Sequence, residues 1–393
     1  MPDALNADTR LTILLMLRDR VPFTVRWMAY ANRVRLPFKV FIADGGSDDS
    51  AGRALGDHSR FPHVDYTYVR YPHDATYADF YAKLADALSR IDTPYVALAD
   101  NDDFLIADGV RQAIRFLADH PEYATCGGQC AVFWVTPSEA GGSGSETLYG
   151  RRVEWKTSLD TRSVTDATAR ARLEHQSLRA TTPIYYHVQR TSDVRRYVDA
   201  VMVWNPADLF LLEHVLYSLA AIAGRTKQLD TLYIARQWNS PETIGGGHID
   251  AFGDWLGRML APTWSEDFAG AVRILSAALA DRDHLSLEEA RAAVVAAFRM
   301  QAAPPLLSDL LKDPHVDVPM SAAVWLVQRL LARPSTSAAR RLLRRVYRRM
   351  PWISVDAVHG TEFRTRAVAG AAEDFGPMRE FLREPPAAAL DGR

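Results

Sequence analysis

Two short acidic segments concentrate the side chains able to do polar chemistry. VALADNDDF (96–104) sets Asp100, Asn101, Asp102 and Asp103 directly after an apolar run. Three carboxylates this close repel one another unless a cation compensates. A hard divalent ion with oxygen ligands is the natural compensator: Mg2+ takes one or two carboxylates plus substrate phosphates, and Mn2+ would serve equally. The alternative, an acidic loop that caps the next helix, is a task Asp108 fills better. ADGGSDDS (43–50) again follows an apolar run. Asp44 ends that run, Gly45-Gly46 permit a sharp turn with positive φ, and Ser47 is placed to cap the next helix. The segment has neither the G-x-G-x-x-G spacing of a dinucleotide fingerprint nor the Gly-Lys-Ser/Thr of a P-loop.

The elements that position these turns follow from periodicity. Residues 11–17, 38–44, 64–70 and 93–100 read as strands, separated by helices over 21–34, 49–58 and 76–91. Apolar strands alternating with helices predict an α/β fold whose mostly parallel sheet is covered on both faces. Such sheets bind ligands beyond the carboxyl ends of their strands, where both acidic turns lie. A helix follows from Asp108 to about Asp119. Another runs over 205–224, with Asn205 as cap, Pro206 in its first turn and Gly224 at its end, and TLYIARQW (231–238) reads as a strand. AGGSGSE (140–146) reads as a flexible loop. From about 254 the periodicity is helical, with SLEE (286–289) as a capping box. A boundary near 252 therefore separates residues 1–252 from an all-helical C-terminal domain, 253–393.

Bulk properties bound the function. The chain has 393 residues, 48% hydrophobic and 24% charged, and a formal charge of −2. That composition suits a soluble protein with a substantial core, and the near-balanced charge gives no case for a nucleic-acid partner. Cys126 and Cys130 are the only cysteines, too few for a disulfide framework, and read as a buried, inert pair. With no basic leader, cleavage site or spanning apolar run, a cytoplasmic protein is expected.

Taken together, the two turns carry a resemblance. Ala43-Asp44-Gly45-Gly46-Ser47-Asp48 is similar to the Asp-Asp-Gly-Ser-x-Asp turn of glycosyltransferase family two, and Asp100-Asn101-Asp102-Asp103 to that family's Asp-x-Asp-Asp motif. Thr93-Pro94-Tyr95-Val96 and His120-Pro121-Glu122-Tyr123 look like further family positions. Leu232-Tyr233-Ile234-Ala235-Arg236 resembles its Leu-Tyr-x-x-Arg strand, and with Gly224 this alignment puts Glu213 where the catalytic base stands. The resemblance spans about residues 10–240. It implies a GT-A fold and inverting transfer of a sugar from a metal-bound nucleoside-diphosphate donor to a glycan, lipid-linked or protein acceptor.

By that resemblance Glu213 is the base, with Asp208 in reserve. Asp102 and Asp100 hold Mg2+ or Mn2+, Asp44 contacts the nucleotide base, and Asp100 contacts the ribose or a metal-bound water. Lys83 would reach the diphosphate, the alternative being a solvated helix face. The sequence departs from the family at Ala43, at Leu212 and at Trp238, where a metal-binding His is common. His248, in GGGHID (245–250), would replace that ligand. These departures leave room for a degenerate transferase that only binds nucleotide-sugar or glycan. Finally, SAARRLLRRVYRRM (337–350) carries six arginines and one apolar stripe. It suits peripheral contact with an anionic membrane or, equally, a helix with one solvated face.

Overall fold

The structure, a computed structural model, describes residues 8–136, 147–150, 152–159, 162–178, 184–312, 363–364 and 371–383. The flexible-loop reading at 140–146 and the basic segment 337–350 lie outside the described residues.

The first half builds the expected frame. β1 (Leu11–Leu17), β2 (Lys39–Asp44), β3 (Tyr66–Arg70) and β4 (Tyr95–Ala99) are parallel, in the spatial order β4-β1-β2-β3. Side chains alternate across a strand, and β1 feeds two cores accordingly. Leu11, Ile13, Leu15 and Leu17 face α1 (Val21–Arg33) and α4 (Ala107–Asp119), whereas Leu14 and Met16 meet Leu84 and Leu88 of α3 (Tyr77–Ser89). A strand buried on both faces reads as a continuous apolar run. Between β2 and β3 lies the short α2 (Ser50–Leu55).

Beyond β4 the sheet becomes antiparallel. β8 (Val188–Arg190) pairs with β4, β6 (Tyr123–Thr136) with β8, and β7 (Arg152–Leu159) with β6. The edge strand β10 (Phe363–Arg364) pairs with β7. β9 (Arg225–Gln237) runs parallel to β6 and pairs with the two-residue β5 (Phe104–Leu105), which follows the acidic turn. Among the described residues the sheet has ten strands flanked by helices, a mixed α/β fold.

A second core is helical. α5 (Ala169–Leu178), α6 (Thr191–Trp204), α7 (Leu209–Ala223), α10 (Trp264–Asp283) and α11 (Leu287–Lys312) contribute Leu173, Val201, Val215, Leu275 and Val294. α8 (Ile244–Phe252) and α9 (Trp255–Met259) connect β9 to this layer. The capping box of α11 forms, with Ser286 and Glu289 exchanging bonds. α12 (Ala371–Arg383) returns to the sheet and puts Phe375, Met378, Phe381 and Leu382 into the core that holds Leu11.

Several local expectations are corrected. α6 was not legible, and Asn205 closes it in a left-handed conformation (φ 47°) instead of opening α7, whose cap is Asp208. Ile106 precedes α4 without a side-chain cap, leaving Asp108 in the first turn bonded to Arg111. Ser47 does not cap α2. Its N–H and hydroxyl both donate to Asp19 Oδ1, at 2.6 and 2.7 Å. Gly45 is required by close approach, not by positive φ: a Cβ there would lie 2.3 Å from Asp74 Oδ1.

Candidate active site

A cavity of about 370 Å³ opens at the carboxyl ends of β1 and β4. Asp100, Asn101, Asp102 and Asp103 form one wall, and Glu213 with Tyr217, from α7, forms another. Asp100, Asp102 and Asp103 each offer an oxygen within 4.8 Å of the others.

Each acid of the turn is held by a different partner. Asp100 accepts a 2.6 Å bond from the Tyr186 hydroxyl. Asp102 pairs with Arg20 Nη2 at 3.2 Å and accepts from Ser240 Oγ. Asp103 accepts from Arg236 Nε at 2.7 Å and from the Gln237 N–H at 3.1 Å. Arg236 also donates to Tyr186 Oη at 2.9 Å, which links Asp103 to Asp100 through two side chains. Asn101 turns away and donates to Thr24 Oγ1.

Arg20 reaches Asp102 from a strained position. Asp19 and Arg20 are consecutive non-glycine residues with φ of 57° and 54°. Such conformations cost on the order of 1–3 kcal/mol each and persist only where the surroundings enforce them. Here Ser47 holds Asp19, and the Arg20 guanidinium stacks 4.3 Å over Phe23.

Charge is crowded in this wall. Burial, then the Asp102 charge, raises the pKa of Asp100. Burial likewise raises Asp103, to about 7, against the opposing pull of Arg236. Hard oxygen donors converging on a cavity, with their charge incompletely compensated, fit a divalent cation. Glu213 is half-buried, and burial raises its pKa from 4.5 to about 7, with Arg236 opposing the shift and Asp100 adding to it.

The other sequence candidates lie outside this constellation or at its floor. Asp44 is buried and turned inward: Oδ1 accepts from the Gly46 N–H at 2.8 Å, and Oδ2 accepts from the Tyr68 hydroxyl at 2.6 Å and meets Arg70 at 3.2 Å. Lys83 is not a solvated face. Its ammonium is buried under the cavity, donates to the Leu17 carbonyl at 2.6 Å and is ion-paired with Asp74. Asp208 accepts two bonds from Arg258, at 2.7 and 2.6 Å, and one from the Leu211 N–H. Burial alone would raise its pKa, but the neighbouring His248 and Arg258 draw it down to about 2. His248 lies with Asp208, its Nε2 3.7 Å from Oδ2, and its Nδ1 is 2.9 Å from the Tyr77 hydroxyl. The structure thus gathers Asp100, Asp102 and Glu213 at the cavity and groups Asp208 and His248 elsewhere.

Sequence reasoning missed Tyr186, Arg20 and the bonding of Arg236. Arg20 stood in LRDR (17–20) and Arg236 at the end of the quoted strand motif, where an unpaired charge beside a buried strand was the available signal. Tyr186 gave none. The cysteine reading holds, since Cys126 and Cys130 are buried, free thiols that burial pushes up to about 12.

Comparison with known proteins gives outlines. No protein-family model matches the chain. Uncharacterised proteins of Mycobacterium tuberculosis and Mycobacterium bovis are 30% identical over 99 residues, 24% of this chain. The match spans about a quarter (27%) of the length of those relatives. Among solved structures, the chain is similar to TarS 1–349 of S. aureus in complex with UDP, at 12% identity and a TM-score of 0.44, over 78% of this chain and 76% of that one. It is also similar to the mannosyltransferase PcManGT of Pyrobaculum calidifontis in complex with GDP-Man and Mn2+, at 15% identity and a TM-score of 0.42, over 85% and 83%. Among the described residues, no helix is long and apolar enough to cross a membrane.

Proposed function

We propose that the protein is a glycosyltransferase that moves a sugar from a nucleoside-diphosphate donor to an acceptor hydroxyl, with inversion. One observation carries this reading: a carboxyl group raised to about 7 shares a cavity with three clustered carboxylates. The first is a base poised to take a proton near neutral pH, and the cluster is a seat for a cation that would bind a diphosphate.

Single displacement at an anomeric carbon needs one base. Glu213 takes the acceptor proton as the hydroxyl attacks, and its desolvated carboxylate is basic enough to do so. Asp102 and Asp100 would hold Mg2+ or Mn2+, which when bound stabilises the departing diphosphate as a Lewis acid. Arg236 and Tyr186 fix Asp103 and Asp100, and Arg20 orients Asp102. Arg18, exposed at the mouth, meets the diphosphate, while Asp44 and the Lys83–Asp74 pair shape the floor.

The test is a thermal-shift titration with UDP, GDP and their sugars, with and without Mn2+. Ligand that binds only the native state raises its apparent stability as ln(1 + [L]/Kd). The expected result is a Mn2+-dependent shift with one nucleotide, lost in Asp102→Ala while the unliganded melting curve stays cooperative. A folded wild-type protein that responds to no nucleotide overturns the reading.

A further inference from the structure

A second cavity, also of about 370 Å³, adjoins the first along one stripe of α7. Phe210, Glu213 and Tyr217 line both cavities, so the carboxyl group assigned as the base stands in the partition between them. The remaining walls come from residues after β9. Ile249 belongs to α8, Trp255 to α9 and Gln301 to α11. Gly253 makes the turn that brings α9 against the cavity, at φ 82°, which a side chain would strain.

Resting on the transferase reading above, we propose that this second cavity is the acceptor subsite and that it takes the pyranose ring of an uncharged glycoside. An acceptor hydroxyl has to approach the base from a side not filled by the donor, and the partition gives Glu213 two sides. The walls fit a ring with apolar C–H faces and a polar rim. Trp255 is fixed as a rigid wall, with Phe298 at 6.0 Å between centroids and the Arg258 guanidinium 4.8 Å from the ring centre. Aromatic walls with a few placed polar groups are the usual construction of small-molecule sites. Gln301 Oε1 is buried without a hydrogen-bond partner among the described residues, an acceptor suited to a sugar hydroxyl.

Electrostatics select against an anionic acceptor. Arg258 is the one permanent cation among the described lining residues, and its Nε and Nη2 both donate to Asp208. His214 is held neutral, since burial lowers its pKa to about 4. The other ionisable lining groups are the carboxyls of Glu213 and Asp254 and the phenol of Tyr217, none of them cationic. Among the described lining residues a phosphate or carboxylate would meet one cation, already neutralised by Asp208, and would face like charge from Glu213 and Asp254.

The test is saturation-transfer-difference NMR on the full chain. The probes are methyl and octyl pyranosides of glucose, galactose, mannose and N-acetylglucosamine, with glucose 6-phosphate and mannose 6-phosphate as charged counterparts. At least one neutral glycoside should bind, its phosphorylated counterpart at least tenfold more weakly. Trp255→Ala should weaken binding at least tenfold and Gln301→Leu severalfold. Trp255 packs against Phe298, so Ile249→Trp provides a second route: it narrows the mouth from a residue 49% exposed and should also block binding. Equal binding by wild type and Ile249→Trp, equal binding of the phosphosugars, or no glycoside binding by a protein that does bind nucleotide overturns this proposal alone. A folded protein that binds neither nucleotide nor glycoside overturns the transferase reading with it.

Discussion

Two neighbouring regions of α7 hold acids of opposite character. At its N-terminal cap, Asp208 is buried yet drawn down to about 2, because His248 stands beside it, Arg258 grips both its oxygens and the Leu211 N–H adds a further bond. On the next turn, Glu213 is raised to about 7 by burial, with Arg236 only partly opposing that rise. Burial is the larger influence on both and pushes both upward. What separates them is a cation at contact distance: Arg258 donates to both oxygens of Asp208, whereas Glu213 has the neutral Tyr217 hydroxyl as its side-chain partner. A fully bonded carboxylate makes structure, whereas an underbonded one at a cavity wall is available for proton transfer.

The most direct way to break this comparison is Glu213→Gln. General-base catalysis contributes typically about 10²- to 10⁴-fold, so sugar transfer should fall by that order while Mn2+-dependent nucleotide shifts remain. Transfer at the wild-type rate would put the base elsewhere. The opposite variant, Asp208→Asn, keeps a good helix cap but leaves Arg258 buried without its counter-charge. Breaking a buried ion pair costs about 3–5 kcal/mol, and urea denaturation should show a loss near the lower end. An unchanged midpoint would mean that Arg258 finds another partner.

The contrast also explains what could be read from the sequence. The β1–β4 frame was legible because strands buried on both faces must be apolar throughout and the intervening helices have their own period. The acid turn was legible because chain order alone places it beyond β4. Asp208 and Glu213 were not separable in the same way: both are acids on one helix, and only the tertiary arrival of Arg258, fifty residues later, tells them apart. Asn205 misled for a related reason, since asparagine serves equally as an N-cap and as a left-handed terminus. His248 was drawn to the metal by a gap in a motif, and its surroundings, Tyr77, Phe210 and Phe252, come from distant segments.

A pH series sharpens the comparison because the two acids have linkage of opposite sign. Glu213 has a folded pKa of about 7, above its ordinary 4.5, so its protonated form stabilises the fold. That contribution is full below pH 4.5 and is lost as pH rises through 7. Asp208, at about 2 against 3.8, contributes stability above pH 3.8 that is lost as pH falls through 2. Thermal melts should therefore show a decline as pH rises toward 7 that Glu213→Gln reduces, with Asp103, also raised to about 7, supplying the remainder. They should also show a loss at acid pH that the variant keeps. Transfer needs the carboxylate, so kcat/KM should rise with pH through about 7 and then level. A rate that is flat from pH 5 to 9 would separate Glu213 from the chemistry.

The smallest effect decides where His248 belongs. Its Nδ1 shares a hydrogen bond with the Tyr77 hydroxyl, and its ring packs 4.6 Å from Phe252. His248→Phe keeps an aromatic ring among Phe210 and Phe252 but removes that bond and the imidazole beside Asp208. The net worth of one hydrogen bond is about 0.5–1.5 kcal/mol, and the loss in melting experiments should be of that size. Asp100, Asp102 and Asp103 are untouched, so the Mn2+ concentration needed for half the nucleotide-dependent shift should stay where it was. A tenfold rise in that concentration would make His248 a ligand after all, and would require α8 to bring it to the acid turn when the nucleotide binds. An unchanged value, with the expected small loss of stability, leaves His248 as part of the structure that keeps Asp208 charged.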